Sequence, residues 1–97
     1  AMSHIVLKRG DQAIATLELN ENRDYVLGRH EDCDLVLGQQ ASISRHHLRL
    51  RRVEQKWHIE LLSQVGVLEH EGKRVKHLAL QNGTVFSVPP YQMTYLE

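Results

Sequence analysis

The chain has 97 residues, is 41% hydrophobic, and carries no formal net charge because twelve basic residues balance twelve acidic ones. This length supports one hydrophobic core rather than two, and a neutral molecule has no overall field to draw it to nucleic acid or to an anionic membrane. The single cysteine, Cys33, excludes an internal disulfide and fits a reducing compartment.

No apolar stretch approaches the length of a membrane span, and the N-terminus lacks a signal-peptide pattern. Ala1 before Met2 indicates a residue left from expression, with the native chain starting at Met2. We therefore expect one cytoplasmic domain over residues 3–97, with residues 1–2 outside it.

The first half of the chain has the hydrophobic pattern of short strands joined by polar turns. Apolar and polar residues alternate over two segments, 4–8 and 15–19, and short apolar runs occupy 25–27 and 35–37. The first pair of segments is separated by the turn residues Arg9-Gly10-Asp11-Gln12.

The second half continues the same pattern. Residues 48–51 and 57–61 alternate on either side of the polar turn 54–56, which predicts a hairpin with one solvent-facing side. Asn82-Gly83 predicts a further hairpin turn, and two strands close the chain on either side of Pro89-Pro90. With no helical periodicity, the sequence predicts an all-β sandwich of two twisted, mainly antiparallel sheets, with functional residues on its loops.

Two loops carry residues suited to one doubly charged anion. Arg29 follows Gly28 at the end of one predicted strand, and its planar guanidinium matches phosphate geometry and keeps its charge. Ser44 offers a hydroxyl at the entry of the next long strand, and Arg45 beside it adds charge at the rim. Gly28 is expected to permit a backbone conformation that is costly for a larger residue. These residues predict a phosphate-binding site.

His47 is given a different role, because its predicted place inside the strand suits an internal hydrogen bond that braces the loop of Ser44. A lone Gly-Arg pair or a lone Ser-Arg-His-His segment is more often structural than functional. The ordered set, with an apolar run between the two loops, favours the phosphate site.

The segments 25–29, 34–37 and 43–47 resemble the central motif of forkhead-associated (FHA) domains. That resemblance spans nearly the whole chain and implies a sandwich of about eleven strands that binds phosphothreonine peptides without catalysis. By position, it implies that Arg29 and Ser44 contact the phosphate, that Arg45 lies beside it, and that His47 supports the loop.

The chain departs from the FHA pattern after the strand at 57–61. The family typically has Gly-Ser-Thr-Asn-Gly-Thr there, whereas this chain has Leu62-Ser63-Gln64-Val65-Gly66-Val67. Gly66 matches as a loop-supporting residue and Gln64 is expected to contact the ligand, but Val65 cannot form the hydrogen bond of the usual asparagine. Losing that bond costs about 0.5–1.5 kcal/mol, so the resemblance implies a weakened or unusually selective phosphopeptide binder. The alternative is a degenerate FHA domain that assembles with protein partners independently of phosphate.

Three other functions are weaker. Seven histidines suggest a metal site, but no pair of histidines has the spacing of a zinc site, so no metal or other cofactor is expected. One histidine, His30 next to Arg29, is the candidate for making phosphate binding depend on pH. The arginine-rich strand at 49–52 lacks interleaved aromatic residues for nucleic acid, and a solvated strand face explains it better. A hydrolase using Ser44 and His47 lacks a nucleophile elbow. We therefore expect a phosphothreonine-containing protein as partner, and no nucleic acid, membrane or small-molecule substrate.

Overall fold

The computed structural model describes residues 2–97, which form eleven β-strands and no helix. One sheet has six strands in the spatial order β2 (Gln12–Glu18), β1 (His4–Arg9), β11 (Tyr91–Leu96), β10 (Val85–Val88), β7 (Glu69–His70), β8 (Lys73–Arg74). The other has five, in the order β4 (Leu35–Val36), β3 (Tyr25–Gly28), β5 (Leu48–Val53), β6 (Lys56–Leu61), β9 (His77–Ala79). The predicted two-sheet all-β sandwich is confirmed.

The core lies between the sheets and follows the predicted period of two. On β1, Ile5 and Leu7 are buried, and on β6, Trp57 and Ile59 are buried, while their neighbours along each strand are more exposed. Alternate residues of a strand point to opposite faces, so each sheet contributes one apolar face to this core. Within residues 2–97 there is no helix with the length and apolar character needed to cross a bilayer.

The hairpin between β5 and β6 is confirmed. Leu50 pairs with Ile59 in an antiparallel register, and the turn places Glu54 and Gln55 at φ values of 52° and 68°. Two consecutive residues with positive φ are typical of the tight turn whose twist matches that of the flanking strands.

The hairpin predicted at Asn82-Gly83 is wrong, because this turn joins β9 and β10, which belong to different sheets. Before the turn, Leu80 N–H donates to the Trp57 carbonyl of the five-stranded sheet at 2.9 Å. After it, Gly83 N–H donates to the Tyr95 carbonyl of the six-stranded sheet at 2.8 Å. The turn therefore carries the chain across the sandwich.

The strands β3 and β4 pair in parallel, whereas the other paired strands of the described chain are antiparallel. A parallel pair needs a return connection, so the chain loops back between them over residues 29–34. Since β5 pairs with the other side of β3, the loop that leads into β5 also lies at this end of the sheet. The two loops with the predicted site residues are thus neighbours.

We predict that Ile59→Ala lowers the free energy of unfolding by about 2–5 kcal/mol, because it leaves a cavity in a core position that is 0% exposed. Ile14→Ala on β2, where the side chain is 51% exposed, is the matched control and should cost less than about 1 kcal/mol. Chemical denaturation of both variants provides the measurement. Equal losses would contradict the assignment of Ile59 to the core.

Candidate functional site

The two site loops are joined by backbone hydrogen bonds. Arg29 N–H donates to the Ser44 carbonyl at 3.0 Å, and His30 N–H donates to the Arg45 carbonyl at 3.1 Å. A Cβ atom on Gly28 would collide with the Arg45 carbonyl and the His47 amide nitrogen. Gly28 is therefore required for the close approach of two backbones. The expected reason, an unusual backbone conformation, is wrong because Gly28 is not among the residues with positive φ.

Arg29 is half-buried, and its Nε–H donates to the Ile43 carbonyl at 2.8 Å. This bond fixes the guanidinium while the two terminal nitrogens remain available for a bidentate contact. Arg29 and Arg45 lie side by side in a surface depression of ≈ 400 Å³, which we call the arginine groove. Its other lining residues are His30, Glu31 and Gln39.

Neither Arg29 nor Arg45 has a carboxylate within 4.0 Å in the described chain. The arginines of β5 differ, since Arg49 and Arg51 face Glu60 and Arg52 faces Glu21. The β5 side chains are thus partly neutralised on the sheet surface, whereas the two arginines at the arginine groove form no ion pair in the described chain, although Glu31 lines the same groove.

Ser44 connects to the loop after β6 through its side chain. Its Oγ lies 2.5 Å from Ser63 Oγ, which accepts the Gly66 N–H at 2.7 Å. When Ser63 donates to Ser44, the Ser44 hydroxyl proton is free for an acceptor outside the protein. Ser63 was missed as a site residue in the sequence, although a serine three residues before a glycine is the signal of a side-chain-capped turn.

His47 is completely buried and holds both loops. Its Nδ1 accepts the Ser44 N–H at 3.0 Å, and its Nε2 donates to the Val67 carbonyl at 2.9 Å. These partners require the neutral ring with its proton on Nε2, and burial accordingly lowers the pKa of His47. The expected place of His47 within a strand is wrong, because β5 begins one residue later, at Leu48.

Gly66 lies directly against the His47 ring and Ser63 Oγ. A Cβ atom there would overlap the His47 ring and Ser63 Oγ, so no larger residue fits without displacing one of them. Gly66, Ser63 and His47 therefore form one packed unit beneath Ser44.

Gln64 lies on the same loop but outside the arginine groove. It lines a second groove of ≈ 610 Å³, formed by residues 61–68 and 74–76. Val65 also lines this groove and is 89% exposed, the position at which the FHA pattern has asparagine. The structure thus joins the loops of Arg29 and Ser44 through their backbones and places Arg45 beside Arg29 at the arginine groove. Ser44 is not among the lining residues of that groove, and Gln64 lines the second groove instead.

The loop between β3 and β4 also brings together residues that the sequence did not connect. His30 and His46 both contact the carboxylate of Asp32, at 2.8 and 3.1 Å, and the hydrogen bond with His46 is the main cause that lowers the pKa of Asp32. Cys33, the next residue after Asp32, is buried, and its thiol donates to the Arg45 carbonyl at 3.1 Å. Burial raises the pKa of this thiol, which favours its protonated form.

Residues 6–96 match the family model for the cytoplasmic domain of the inner membrane component of T3SS (Yop-YscD). The chain belongs to this family. No curated protein matches it significantly by sequence.

Solved FHA domains share the fold of this T3SS-family domain, which confirms the resemblance. The FHA domain of CT664 from Chlamydia trachomatis is 20% identical with a TM-score of 0.84, covering 100% of this chain and 98% of its own. The N-terminal FHA domain of Rad53p from S. cerevisiae, solved with a phosphothreonine peptide, is 15% identical with a TM-score of 0.83 (coverage 99% and 93%). EmbR of Mycobacterium tuberculosis, solved with a low-affinity phosphopeptide, is 21% identical with a TM-score of 0.80 (coverage 99% and 24%).

We predict that His47→Gln lowers the free energy of unfolding by about 1–3 kcal/mol at pH 7.5, because glutamine cannot reproduce the geometry of both buried hydrogen bonds of the ring. The pKa of His47 is lowered in the folded state, so the unfolded chain binds the proton more tightly. Wild-type stability should therefore fall as the pH drops below about 6.5, the unfolded value, and the gap to the variant should narrow.

Denaturant titrations of both proteins from pH 7.5 to pH 5 measure this gap. The remaining histidines are common to both proteins and largely cancel in the difference. A gap that stays constant across the range would show that His47 does not titrate as a buried neutral ring.

Proposed function

We propose that this domain recognises a phosphothreonine-containing protein in the cytoplasm without catalysing a reaction. Arg29 and Ser44 bind the phosphate, with Arg45 at the rim. The observation that carries this proposal is the pair of arginines at one groove with no carboxylate partner among residues 2–97. A phosphate brings close to two negative charges and three acceptor oxygens, which match these donors.

The hydrogen bonds already present prepare the site for a phosphate. The bond from Arg29 Nε–H to the Ile43 carbonyl fixes the guanidinium before the ligand arrives, which reduces the entropy lost on binding. When Ser63, which accepts the Gly66 N–H, donates to Ser44, the hydroxyl proton of Ser44 is left free for the phosphate. Each charge-assisted contact contributes about 1.5–3 kcal/mol.

The same geometry argues against hydrolysis. A serine nucleophile needs a base on its hydroxyl, but His47 Nδ1 accepts the backbone N–H of Ser44 and Nε2 donates to Val67. Ser44 Oγ instead contacts Ser63 Oγ. Two neighbours of similar fold, EmbR and the N-terminal FHA domain of Rad53p, were solved with phosphopeptides, and this supports a binding function for the present chain.

We predict that Arg29→Ala weakens binding of phosphothreonine peptides by about ten- to a hundredfold, because it removes a charge-assisted bidentate contact. A degenerate phosphothreonine peptide library, titrated beside its unphosphorylated twin, measures the loss. Arg51→Ala is the matched control, since Arg51 lies on the β5 surface near Glu60 and away from the groove. Equal binding by wild type and Arg29→Ala would overturn the site.

A second candidate function is phosphate-independent assembly with a protein partner. Val65 is 89% exposed in the second groove and replaces the polar residue of the FHA pattern, and the family is that of an inner membrane component of a multi-protein system. An exposed valine contributes to binding only where a partner covers it.

Val65→Asn separates the two functions. If phosphopeptide recognition is the function, the variant should bind phosphopeptides up to about tenfold more tightly, because the asparagine restores one hydrogen bond to the peptide backbone. If assembly is the function, neither protein should distinguish the phosphorylated library from its twin. Unfolding curves should be unchanged, since the side chain is exposed.

A further inference from the structure

A cluster of two imidazoles and a carboxylate lies beside the arginine groove. Asp32 Oδ1 is 2.8 Å from His30 Nδ1 and 3.1 Å from His46 Nε2, and the three possible ligand atoms all lie within 4.8 Å of one another. His30 and Asp32 belong to the loop after β3, whereas His46 belongs to the loop before β5. The cluster therefore exists only because the two loops are joined.

The contact between His30 and Asp32 needs a bridging proton or metal ion. His30 Nδ1 lies 2.8 Å from Asp32 Oδ1 and 3.2 Å from the Asp32 backbone nitrogen. Because two bare acceptors repel each other at such a distance, either a proton on Nδ1 or a metal ion lies between the imidazole nitrogen and the carboxylate oxygen. The same carboxylate oxygen contacts His46, so one cation at this point would satisfy all three groups.

The spacing fits a small metal ion. Ligand atoms bound tetrahedrally to zinc at about 2.0–2.1 Å are about 3.3 Å apart, and the two separations from Asp32 Oδ1 lie within about 0.5 Å of that value. The two imidazole nitrogens lie within 4.8 Å of each other, so small side-chain movements would bring all three ligands to one ion. Imidazole nitrogens with one carboxylate suit zinc and its neighbours nickel and copper, whereas calcium and magnesium prefer oxygen ligands throughout.

The scaffold holds the ligands in place. The bond from His30 N–H to the Arg45 carbonyl fixes His30 next to the residue before His46, and the His30 carbonyl accepts the Cys33 N–H at 3.1 Å. Cys33 is no fourth ligand, because its protonated thiol donates to Arg45. Arg29 and Arg45 in the adjacent groove oppose a cation, and the negative charge on the other side comes from Asp32 within the cluster and from Glu31, which lines the groove.

We propose that His30, Asp32 and His46 bind one zinc ion and leave its fourth position open to solvent at the edge of the arginine groove. Three protein ligands with one open position are the arrangement of exchangeable zinc sites rather than of closed structural ones. Because His30 is a lining residue of the groove, the ion would stand beside the two arginines. This proposal does not depend on phosphopeptide recognition.

Calorimetric titration with a zinc salt alone, in a buffer free of phosphate, tests the proposal. Wild type should bind one ion per chain, and Asp32→Asn and His46→Gln should each weaken binding by at least about tenfold, the loss that removal of even a supporting group causes. Cobalt should give the visible absorption of a tetrahedral site in wild type and lose it in both variants. The three side chains are exposed, so unfolding curves should show both variants folded.

His77→Gln is the matched control. His77 is exposed and lies 3.1 Å from His58 in a second histidine pair on the five-stranded sheet, far in sequence from the cluster. Its removal should leave zinc binding unchanged. The proposal is overturned if wild type shows no saturable binding, if Asp32→Asn and His46→Gln bind like wild type, or if His77→Gln causes the loss instead.

Discussion

The candidate site depends on the two hydrogen bonds made by the buried, neutral ring of His47. Among residues 2–97, His47 is the one polar or charged residue that is buried like the hydrophobic core. One ring nitrogen accepts a hydrogen bond from Ser44 N–H, and the other donates to the Val67 carbonyl. A buried polar group without partners is costly, so both loops must stay where the ring can reach them. Gly66 completes this arrangement, because only a glycine leaves room for the ring.

Two grooves lie on the loops above this buried support, one lined by two arginines and the other lined mainly by apolar residues together with Arg74 and Lys76. On one side, Arg29 and Arg45 face the arginine groove without carboxylate partners in the described chain. On the other, the second groove carries exposed Val65. The FHA pattern is therefore present at residues 28–29 and 44–47, while the loop at 62–67 has valine where the pattern has asparagine.

The fold was largely predictable, because alternating residues on β1, β5 and β6 report directly which face of a strand is buried. The strands connected by the turn at Asn82-Gly83 could not be predicted, since these two residues favour a tight turn both between neighbouring strands and across the sandwich. Only the hydrogen bonds from Leu80 and Gly83 to opposite sheets decide between these. The role of Gly28 was also misjudged, because a close backbone approach leaves no local signature.

The sequence by itself determined the strand pattern, the two loops with Arg29 and Ser44, and the loss of the polar clamp at Val65. These features depend on local periodicity and on residue type, which the sequence states directly. The tertiary structure alone decided that Ser63 bonds to Ser44 and that His46 meets His30 and Asp32. Those contacts join residues fourteen or more positions apart, and their formation depends on how β3, β5 and β6 align across the sheet.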